Sequence, residues 1–352
     1  MSKTFYQRVI DIIKSIPEGK VPTHGQIAAY AGNSHASRQF AYILHSSSRK
    51  QNLPWHRVVN SKGSISLKPG YGYELQKEML KDEEIIFNKL ESNKWIMDYH
   101  IHTTLSDGKG NHDAYIRMAQ KRKIDEIGFS DHLCLKKVSW AMELSQISSM
   151  IETINHLKKN SKVVIKLGVE MDYFPGFEDK IKEIIAGIPF DYVIGSVHFI
   201  NDWTVDHPDN ISEYEKWDVY ELYKVYFNLV QQTANSKLFD IIGHPDLIKK
   251  FGFKPKRDIS DLLEETAEIF KNSGICIEIN TSGLTKPCKE IYPSKKLLKM
   301  CFDKGVPVTL GSDAHRPQDI GQHFDEAIKL IKEIGYIEIV QFTKRKRKFI
   351  RI

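Results

Sequence analysis

Histidines and acidic residues recur at the ends of short apolar runs from about residue 100 onward. Nine of them have side chains that can bind metal: His100, His102, Asp107, His132, Glu170, His198, His244, Asp313 and His315. Such a set is large enough to hold a cluster of metal ions, and clustered metal ions commonly catalyse phosphoester hydrolysis. The first chemistry that the sequence indicates is therefore metal-dependent hydrolysis.

The spacing of these residues supports a shared site. Residues i and i+2 of a strand point to the same face, so His100 with His102, and Asp313 with His315, each project two ligands together. Imidazole suits zinc, manganese and iron, and about three protein ligands per catalytic metal would divide the nine among three ions. A single histidine near a strand end is more often an ordinary core or surface group, but the ordered set favours a metal site.

Seven β-rich runs alternate with amphipathic stretches and would position these ligands. The runs span residues 95–103, 124–132, 163–172, 192–199, 239–246, 275–282 and 306–315. This alternation predicts an α/β protein with parallel strands, most simply a barrel. Barrels of this type carry their chemistry at the carboxyl ends of the strands. Every candidate ligand falls on or just after such an end, except Asp107, which lies in the loop after the first run.

A separate pattern occupies the N-terminal residues. Apolar spacing predicts helices over 4–16, 23–31 and about 35–46, a helix-turn-helix arrangement, and a further helix over about 74–89. Residues 90–94 form a polar joint. We therefore expect a small helical domain over 1–88, a linker over 89–94 and a large domain over 95–352.

The net charge of +6 is unevenly distributed. Residues 1–80 hold 11 Lys and Arg against 4 Asp and Glu, whereas the remaining residues hold 40 against 41. A basic small domain indicates an anionic partner such as nucleic acid, although a merely basic soluble surface is equally compatible with the charge. The basic run 343–352 is typical either of a nucleic-acid-binding arm or of a charged edge strand.

The sequence argues against a membrane protein. No apolar run approaches the roughly 18–20 residues that span a bilayer, and the N-terminus lacks the apolar core of a signal peptide. The four cysteines are scattered without a CxxC pair, as in proteins of reducing compartments. We therefore expect a cytoplasmic protein. The oligomeric state does not follow from the sequence.

The barrel region resembles a known family in its motifs. The motifs are DYHIHT (98–103), SDG (106–108), GFSDH (128–132), GVEMD (168–172), GSVH (195–198), GHPD (243–246), EIN (278–280) and GSDAH (311–315). They resemble the polymerase-and-histidinol-phosphatase (PHP) superfamily, and GHPDLIKKFG (243–252), EINTSGLTKP (278–287) and EIYPS (290–294) resemble its histidinol-phosphatase branch.

That resemblance implies both a fold and an activity. The fold would be a distorted seven-stranded, TIM-like β/α barrel with a trinuclear site of zinc, manganese or iron, held by all nine candidate ligands. The activity would be hydrolysis of L-histidinol phosphate to L-histidinol and phosphate by a metal-activated water, as in histidine biosynthesis.

Further residues near the ligand loops could serve the reaction. Phosphate requires cationic side chains besides metal, and the candidates are Lys249, Lys250, Lys286 and Arg316, each of which could equally be a solvated surface group. Asp313 or His244 could assist proton transfer, and the sequence does not choose between them.

A second resemblance covers about residues 1–88. The segment PWHRVV (54–59) resembles the PCHRV motif of DNA alkylguanine transferases, with Trp55 in place of the nucleophilic cysteine, as in the alkyltransferase-like proteins. Alkyl transfer needs a thiolate, and the first cysteine of the chain is Cys134. The segment is therefore predicted to bind without transferring alkyl groups.

The same resemblance implies a small winged helix-turn-helix domain that binds double-stranded DNA and flips an alkylated guanine into a pocket. Arg38 matches the arginine that fills the vacated stack, and Trp55 would line the pocket. His24 stands where the family usually has tyrosine, beside the phosphate of the flipped nucleotide. Arg57 completes the predicted DNA-binding residues. The alternative is that Trp55 is a core aromatic residue of a degenerate domain.

Two functions remain open from the sequence. The first is a phosphatase acting on a small phosphomonoester. The second is a DNA-repair protein, in which the N-terminal module recognises alkylguanine and the barrel acts as a DNA phosphatase or nuclease. A binding protein with an inert barrel is disfavoured by the complete ligand set.

Overall fold

A computed structural model describes residues 3–33, 36–48, 50–60, 63–67, 70–83, 85 and 95–352. The chain divides into two compact units, Met1–Asn93 and Lys94–Ile352. The predicted linker, 89–94, lies outside the described residues. Each unit is described separately below.

The described residues of the first unit form four α-helices: α1 (Phe5–Lys14), α2 (His24–Tyr30), α3 (Ser37–Ser47) and α4 (Tyr73–Asp82). Thr4 and Thr23 begin α1 and α2 with capping boxes, in which the threonine side chain and a glutamine three residues later satisfy each other's backbone N–H groups. The predicted helical N-terminal domain is confirmed, with helix ends shifted by one or two residues for α1 to α3.

The PWHRVV segment is fixed between α2 and α4. Trp55–Arg57 form a single 3-10 turn, and Val59 makes a parallel bridge to Thr23. Gln76 of α4, which is buried, donates both of its amide hydrogens to the carbonyl oxygens of His56 and Val58. The segment thus has a defined backbone despite its lack of helix or strand.

Eleven strands of the second unit derive from the seven predicted runs and one hairpin: β1 (Met97–Asp98), β2 (Glu126–Phe129), β3 (His132–Leu133), β4 (Val164–Leu167), β5 (Glu170–Asp172), β6 (Ile194–Ser196), β7 (Phe199–Ile200), β8 (Trp203–Thr204), β9 (Ile241–Ile242), β10 (Cys276–Asn280) and β11 (Val308–Gly311). Strands β7 and β8 form the hairpin. The other ladders are all parallel.

The seven runs close into a barrel built from two sheets. One sheet has the order β1-β2-β4 and the other β11-β10-β9-β6-β5-β3. The second and third runs each give one strand to each sheet, because each breaks after β2 or β4. The last run returns to the first, since Tyr99 N donates to Leu310 O at 3.2 Å and Ile101 bridges Ala314. The predicted distorted seven-stranded barrel is confirmed.

Eight helices accompany the barrel: α5 (His112–Arg122), α6 (Ile147–Asn160), α7 (Glu178–Ala186), α8 (Ile211–Tyr214), α9 (Val219–Asn235), α10 (Ser260–Ser273), α11 (Lys295–Asp303) and α12 (Phe324–Ile334). Tyr192 is fully buried and stacks on Tyr99 at 4.7 Å. A Cβ at Gly128 would lie 2.1 Å from the Tyr192 hydroxyl, so the close approach of this ring requires glycine there.

A C-terminal hairpin of β12 (Glu338–Thr343) and β13 (Lys346–Arg351) lies across the amino ends of the barrel strands. Arg345 N donates to Asp191 O at 2.8 Å, and Arg345 Nε donates to Asp240 Oδ2 at 2.8 Å. Both aspartates directly precede barrel strands. The basic run is therefore a hairpin, and two of its arginines, Arg345 and Arg347, bind the barrel itself.

No helix in the described part of the chain combines the length and the apolar character needed to cross a membrane.

Candidate metal centre

The predicted ligands gather at the carboxyl ends of the barrel strands. The chain breaks after β2 and β4, and the strands that resume there begin with His132 and Glu170. Each break thus places a predicted ligand at the first residue of the strand that follows it. The other strand-end ligands are His100 and His102 after β1, His198 after β6, His244 after β9, and Asp313 and His315 after β11.

Glu170 lies at the middle of the cluster. Its Oε2 is 2.8 Å from His132 Nδ1 and 3.2 Å from His100 Nε2. Its Oε1 is 2.9 Å from His244 Nε2 and 3.6 Å from His198 Nε2. Both oxygens of one carboxylate thus face imidazoles from four different strand ends, an arrangement suited to a bridging ligand.

All nine predicted residues fall into groups whose ligand atoms lie within 4.8 Å of one another. There are four such groups among the described residues: His102, Asp107, His132 and His315; His100, His244 and Asp313; His100, His102 and Glu170; and His132, Glu170 and His198. The first group contains the two most exposed ligands, since 32% of the Asp107 side chain and 38% of the His315 side chain are accessible. The remaining groups are almost wholly buried.

Several ligand atoms in this cluster are buried without a hydrogen-bond partner. In the described part of the chain they include His100 Nε2, both ring nitrogens of His102, Glu170 Oε2 and His244 Nδ1. Buried polar atoms are normally hydrogen bonded, so a convergent set of unpaired imidazole and carboxylate atoms fits a site for cations.

Electrostatics favour the metal-binding protonation state at two of the ligands, Glu170 and His102, whereas neighbouring carboxylates raise the pKa of His100 and His198 against the opposing effect of burial. Burial alone would raise the pKa of the Glu170 carboxyl, but the imidazoles of His100 and His132 hold that pKa well below its ordinary value. Burial, reinforced by His132 and His315, lowers the pKa of His102 to about 3. An ionised carboxylate and a neutral imidazole are the forms that bind divalent cations.

Two carboxylates behind the cluster orient its histidines. Glu278 Oε1 lies 2.7 Å from His100 Nδ1, and Asp172 Oδ1 lies 2.9 Å from His198 Nδ1. Such contacts fix the ring orientation and the tautomer of a ligating histidine. Sequence reasoning gave these acids no role, although the i, i+2 spacing of Glu170 and Asp172 along one strand could have indicated the second.

The loop that carries Asp107 is held by a further buried acid. Asp131, which directly precedes His132, accepts hydrogen bonds from Thr103 N at 2.6 Å and from Ser106 Oγ at 2.7 Å. Asp107 is thereby brought to 3.2 Å from His315. The loop ligand is as firmly anchored as the ligands at strand ends.

Backbone conformation is unusual at His244 and Asp313, with φ of 26° and 54°. Non-glycine residues rarely adopt positive φ, at a cost on the order of 1–3 kcal/mol, and such strain concentrates at functional sites. A Cβ at Gly311 would lie 1.8 Å from Glu278 Oε1, so only glycine permits the acid behind His100 to sit there.

A cavity of about 500 Å³ opens above the cluster. Lys250, Lys286 and Arg316, three of the four predicted phosphate-binding residues, line it. Lys249 does not. Its buried ammonium lies 3.0 Å from Asp246 Oδ2 and donates to the carbonyl oxygen of Ile291, so its charge is used within the fold.

In the first unit, Arg57 is occupied internally, which argues against the prediction that it contacts DNA. Its guanidinium donates to both oxygens of Glu83 at 2.8 and 2.9 Å, and to Ile16 O at 2.8 Å. His56 Nε2 lies 2.6 Å from the same carboxylate. In this largely buried pair, the N–H donors with which the arginine would bind a phosphate are already used by Glu83.

The other predicted DNA-binding residues lie in different settings. His24 is the first residue of α2, and its ring lies 5.4 Å from that of Phe40. Trp55 is partly buried in the 3-10 turn, edge-on to His56 at 6.3 Å. Arg38 belongs to α3, but its side chain lies outside the described residues.

Comparison with known proteins identifies relatives of the barrel. The PHP domain family matches residues 98–282. The chain is 34% identical to a probable histidinol-phosphatase of Deinococcus radiodurans over 257 residues, which are 71% of this chain and 98% of the relative. A crystal structure of a Lactococcus lactis histidinol phosphate phosphatase, complexed with zinc, L-histidinol and phosphate, aligns at 25% identity with a TM-score of 0.64, covering 72% of this chain and 99% of that one.

The first unit has relatives of its own. The DNA-binding domain family of 6-O-methylguanine DNA methyltransferase matches residues 4–85. The chain is 45% identical over 83 residues to the DNA base-flipping protein of Escherichia coli K12, which spans 24% of this chain and 64% of the relative.

Proposed function

Because the chain belongs to the PHP domain family, with histidinol phosphatases among its relatives, we propose that the barrel is a metal-dependent phosphatase for L-histidinol phosphate. The products are L-histidinol and inorganic phosphate. The convergence of nine ligand side chains around Glu170 is the single observation that carries this proposal.

We assign the nine residues to three divalent cations, zinc, manganese or iron, because each of the four groups offers three or four ligand atoms and the groups share His100, His102, His132 and Glu170. Bound cations lower the pKa of water toward neutrality and neutralise phosphoryl oxygens. Glu278 and Asp172 hold the rings of His100 and His198 in the ligating orientation.

The remaining cavity residues supply what the cations do not. Lys250, Lys286 and Arg316, which line the cavity, bind the phosphoryl oxygens. Asp313 and His244 border the cluster on strained backbone and are the candidates to take a proton from the attacking water or to give one to the leaving alcohol. The enclosed volume suits a small phosphomonoester.

For the first unit we propose a DNA-binding module without alkyl transfer. Its family match and its basic charge support double-stranded DNA as the partner, and the absence of cysteine before Cys134 leaves no thiol to accept an alkyl group. Arg38, Trp55 and His24 are the residues that would recognise an alkylated guanine.

This module is also the observation that favours a second function, in which the barrel removes phosphate from DNA ends or cleaves DNA. Protein loaded with manganese or zinc is therefore assayed for release of inorganic phosphate, both from L-histidinol phosphate and from a DNA 3′-phosphate, side by side. Release from the first alone supports the phosphatase. Release from the DNA alone, or DNA hydrolysis, would assign the barrel to repair.

Binding of the module is measured separately with a duplex that contains one O6-alkylguanine. We expect tighter binding than to the unmodified duplex, and we expect Arg38→Ala to remove this preference. Equal affinity of the wild type for both duplexes would contradict damage recognition.

A further inference from the structure

Two acidic side chains line the cavity without belonging to any of the four ligand groups, Asp206 and Asp319, and Asp319 pairs with Arg316 at 3.1 Å. Asp206 follows the β7–β8 hairpin, and 30% of its side chain is accessible. Within residues 95–352, the hydrogen bond from Lys250 Nζ, at 3.1 Å, is the one that this carboxylate accepts. A carboxylate has about four lone-pair sites, so most of its capacity faces the cavity unused.

The position of Asp206 is rigid. The preceding residue, Val205, is fully buried, and its N–H donates to His198 O at 2.8 Å. Its carbonyl oxygen accepts from the hydroxyl of Tyr214 at 2.7 Å. Asp206 therefore directly follows a residue whose backbone is hydrogen bonded to His198, a proposed metal ligand. Such anchoring of the neighbouring backbone is what a preorganised binding group requires.

The charge of Asp206 is unexpected in a phosphate pocket. A phosphomonoester is anionic, and a carboxylate facing it across the cavity repels it. Lys250 offsets this repulsion, but the pairing also uses one of the three cations that line the cavity. A positive group on the leaving alcohol would turn the same carboxylate into an attractive contact.

The surroundings of Asp206 suit an organic leaving group. Trp140, Pro208 and Leu247 line the same cavity. The Trp140 ring lies 5.8 Å from that of His198, on the side of the cluster where Asp206 is anchored. This part of the cavity therefore combines an aromatic wall with one anionic group.

We propose that Asp206 binds the ammonium group of the leaving alcohol and thereby makes the barrel selective for phosphomonoesters of amino alcohols. This inference rests on the proposed phosphatase function. It also disfavours nucleic-acid ends, because the sugar next to a terminal phosphate carries no cation.

The test compares two substrates that differ by the amino group, L-histidinol phosphate and 3-(imidazol-4-yl)propyl phosphate. Hydrogen bonds to charged groups predict that the wild type prefers the amine by about tenfold to a hundredfold in kcat/KM. Asp206→Asn should lose about this factor on L-histidinol phosphate and change by less than about twofold on the deaminated ester. Asp202→Asn, on the exposed hairpin tip, is the matched control and should change neither.

Binding of the alcohols gives a readout independent of turnover. L-histidinol should bind the wild type more tightly than 3-(imidazol-4-yl)propanol in calorimetry, and Asp206→Asn should equalise the two. A purely positioning role, in which Asp206 only holds Lys250 for the phosphate, predicts equal losses on both esters and would overturn the proposal.

The outcomes separate this inference from the function on which it rests. If the wild type hydrolyses neither ester, the proposed phosphatase function fails. If the wild type hydrolyses both without preferring the amine, the phosphatase stands and the role of Asp206 is wrong, whether or not the variant folds.

Discussion

The two units of this chain treat buried polar groups in opposite ways. In the first unit, Glu83 pairs with both Arg57 and His56, and Gln76 satisfies two backbone carbonyls. His56 Nδ1 is the unpaired buried side-chain atom among the described residues there. In the barrel, by contrast, unpaired nitrogens and oxygens converge around Glu170. Satisfied polar clusters support a fold, whereas convergent unsatisfied ones indicate a site.

The largest effect is expected from removing a ligand shared by two groups. His100 takes part in two of the four groups, so His100→Ala should lower phosphate release from L-histidinol phosphate by at least about a thousandfold, roughly 4 kcal/mol of transition-state stabilisation. Metal bound per chain, measured by elemental analysis, should fall as well. His156→Ala, on the surface of α6, is the control, and an equal loss there would contradict a specific role.

Substitutions in the first unit should change its stability and leave the turnover of the barrel unchanged. Glu83→Ala leaves two basic side chains without their partner, and breaking a buried pair costs about 3–5 kcal/mol. Hydrogen exchange of residues 55–83 should accelerate, while phosphatase activity stays unchanged. Asp11→Ala removes the exposed pair with Lys3 and should cost at most about 1 kcal/mol. Similar effects of the two substitutions would remove the distinction between the units.

The carboxylate of Glu83 also predicts that the stability of the first unit depends on pH. The hydrogen bond from Arg57 holds the pKa of Glu83 at about 2, below its ordinary value of 4.5. A lowered native pKa stabilises the fold above the ordinary value, and this stabilisation is lost as the pH falls from 4.5 toward 2. Exchange in residues 55–83 should therefore accelerate over that range, and Glu83→Gln should be less stable but lack this component of the dependence.

A smaller effect is expected from the acids behind the ligands. Asp172→Asn keeps the shape of the residue that orients His198 but removes its charge, and such changes typically cost 10–100-fold in metal affinity or activity. Metal titration should show weaker binding in the variant. Asp179→Asn, at the start of α7, is the control. Unchanged affinity in Asp172→Asn would mean that the charge of Asp172 is not needed to orient His198.

The sequence predicted the barrel and its ligands because both leave local signals. Seven apolar runs define the strands, and a ligand at each strand end follows from the parallel topology. The breaks at residues 130–131 and 168–169, which split two runs between two sheets, were not predicted, because each run was taken as one continuous strand.

Partners distant in the chain explain the remaining differences. Lys249 and Arg57 have the composition and neighbourhood expected of binding residues, yet Asp246 and Glu83 occupy their charges. Glu83 lies 26 residues from Arg57, and no local pattern announces that pairing. The role of Glu278 depends on a contact with His100 across 178 residues, which only the closed barrel creates.

The C-terminal hairpin has a consequence for how this protein is made. Phe342 N donates to the hydroxyl of Tyr99 across 243 residues of chain, and Arg345 is fastened to the segments before β6 and β9. The ribosome must therefore synthesise the chain through Arg351 before the hairpin can cover the amino ends of the barrel strands. The ring of strands itself closes at β11, and the barrel lacks the cover over its amino ends until the hairpin follows. Contacts of such long range form slowly, so the barrel around the proposed metal ligands is completed late in synthesis.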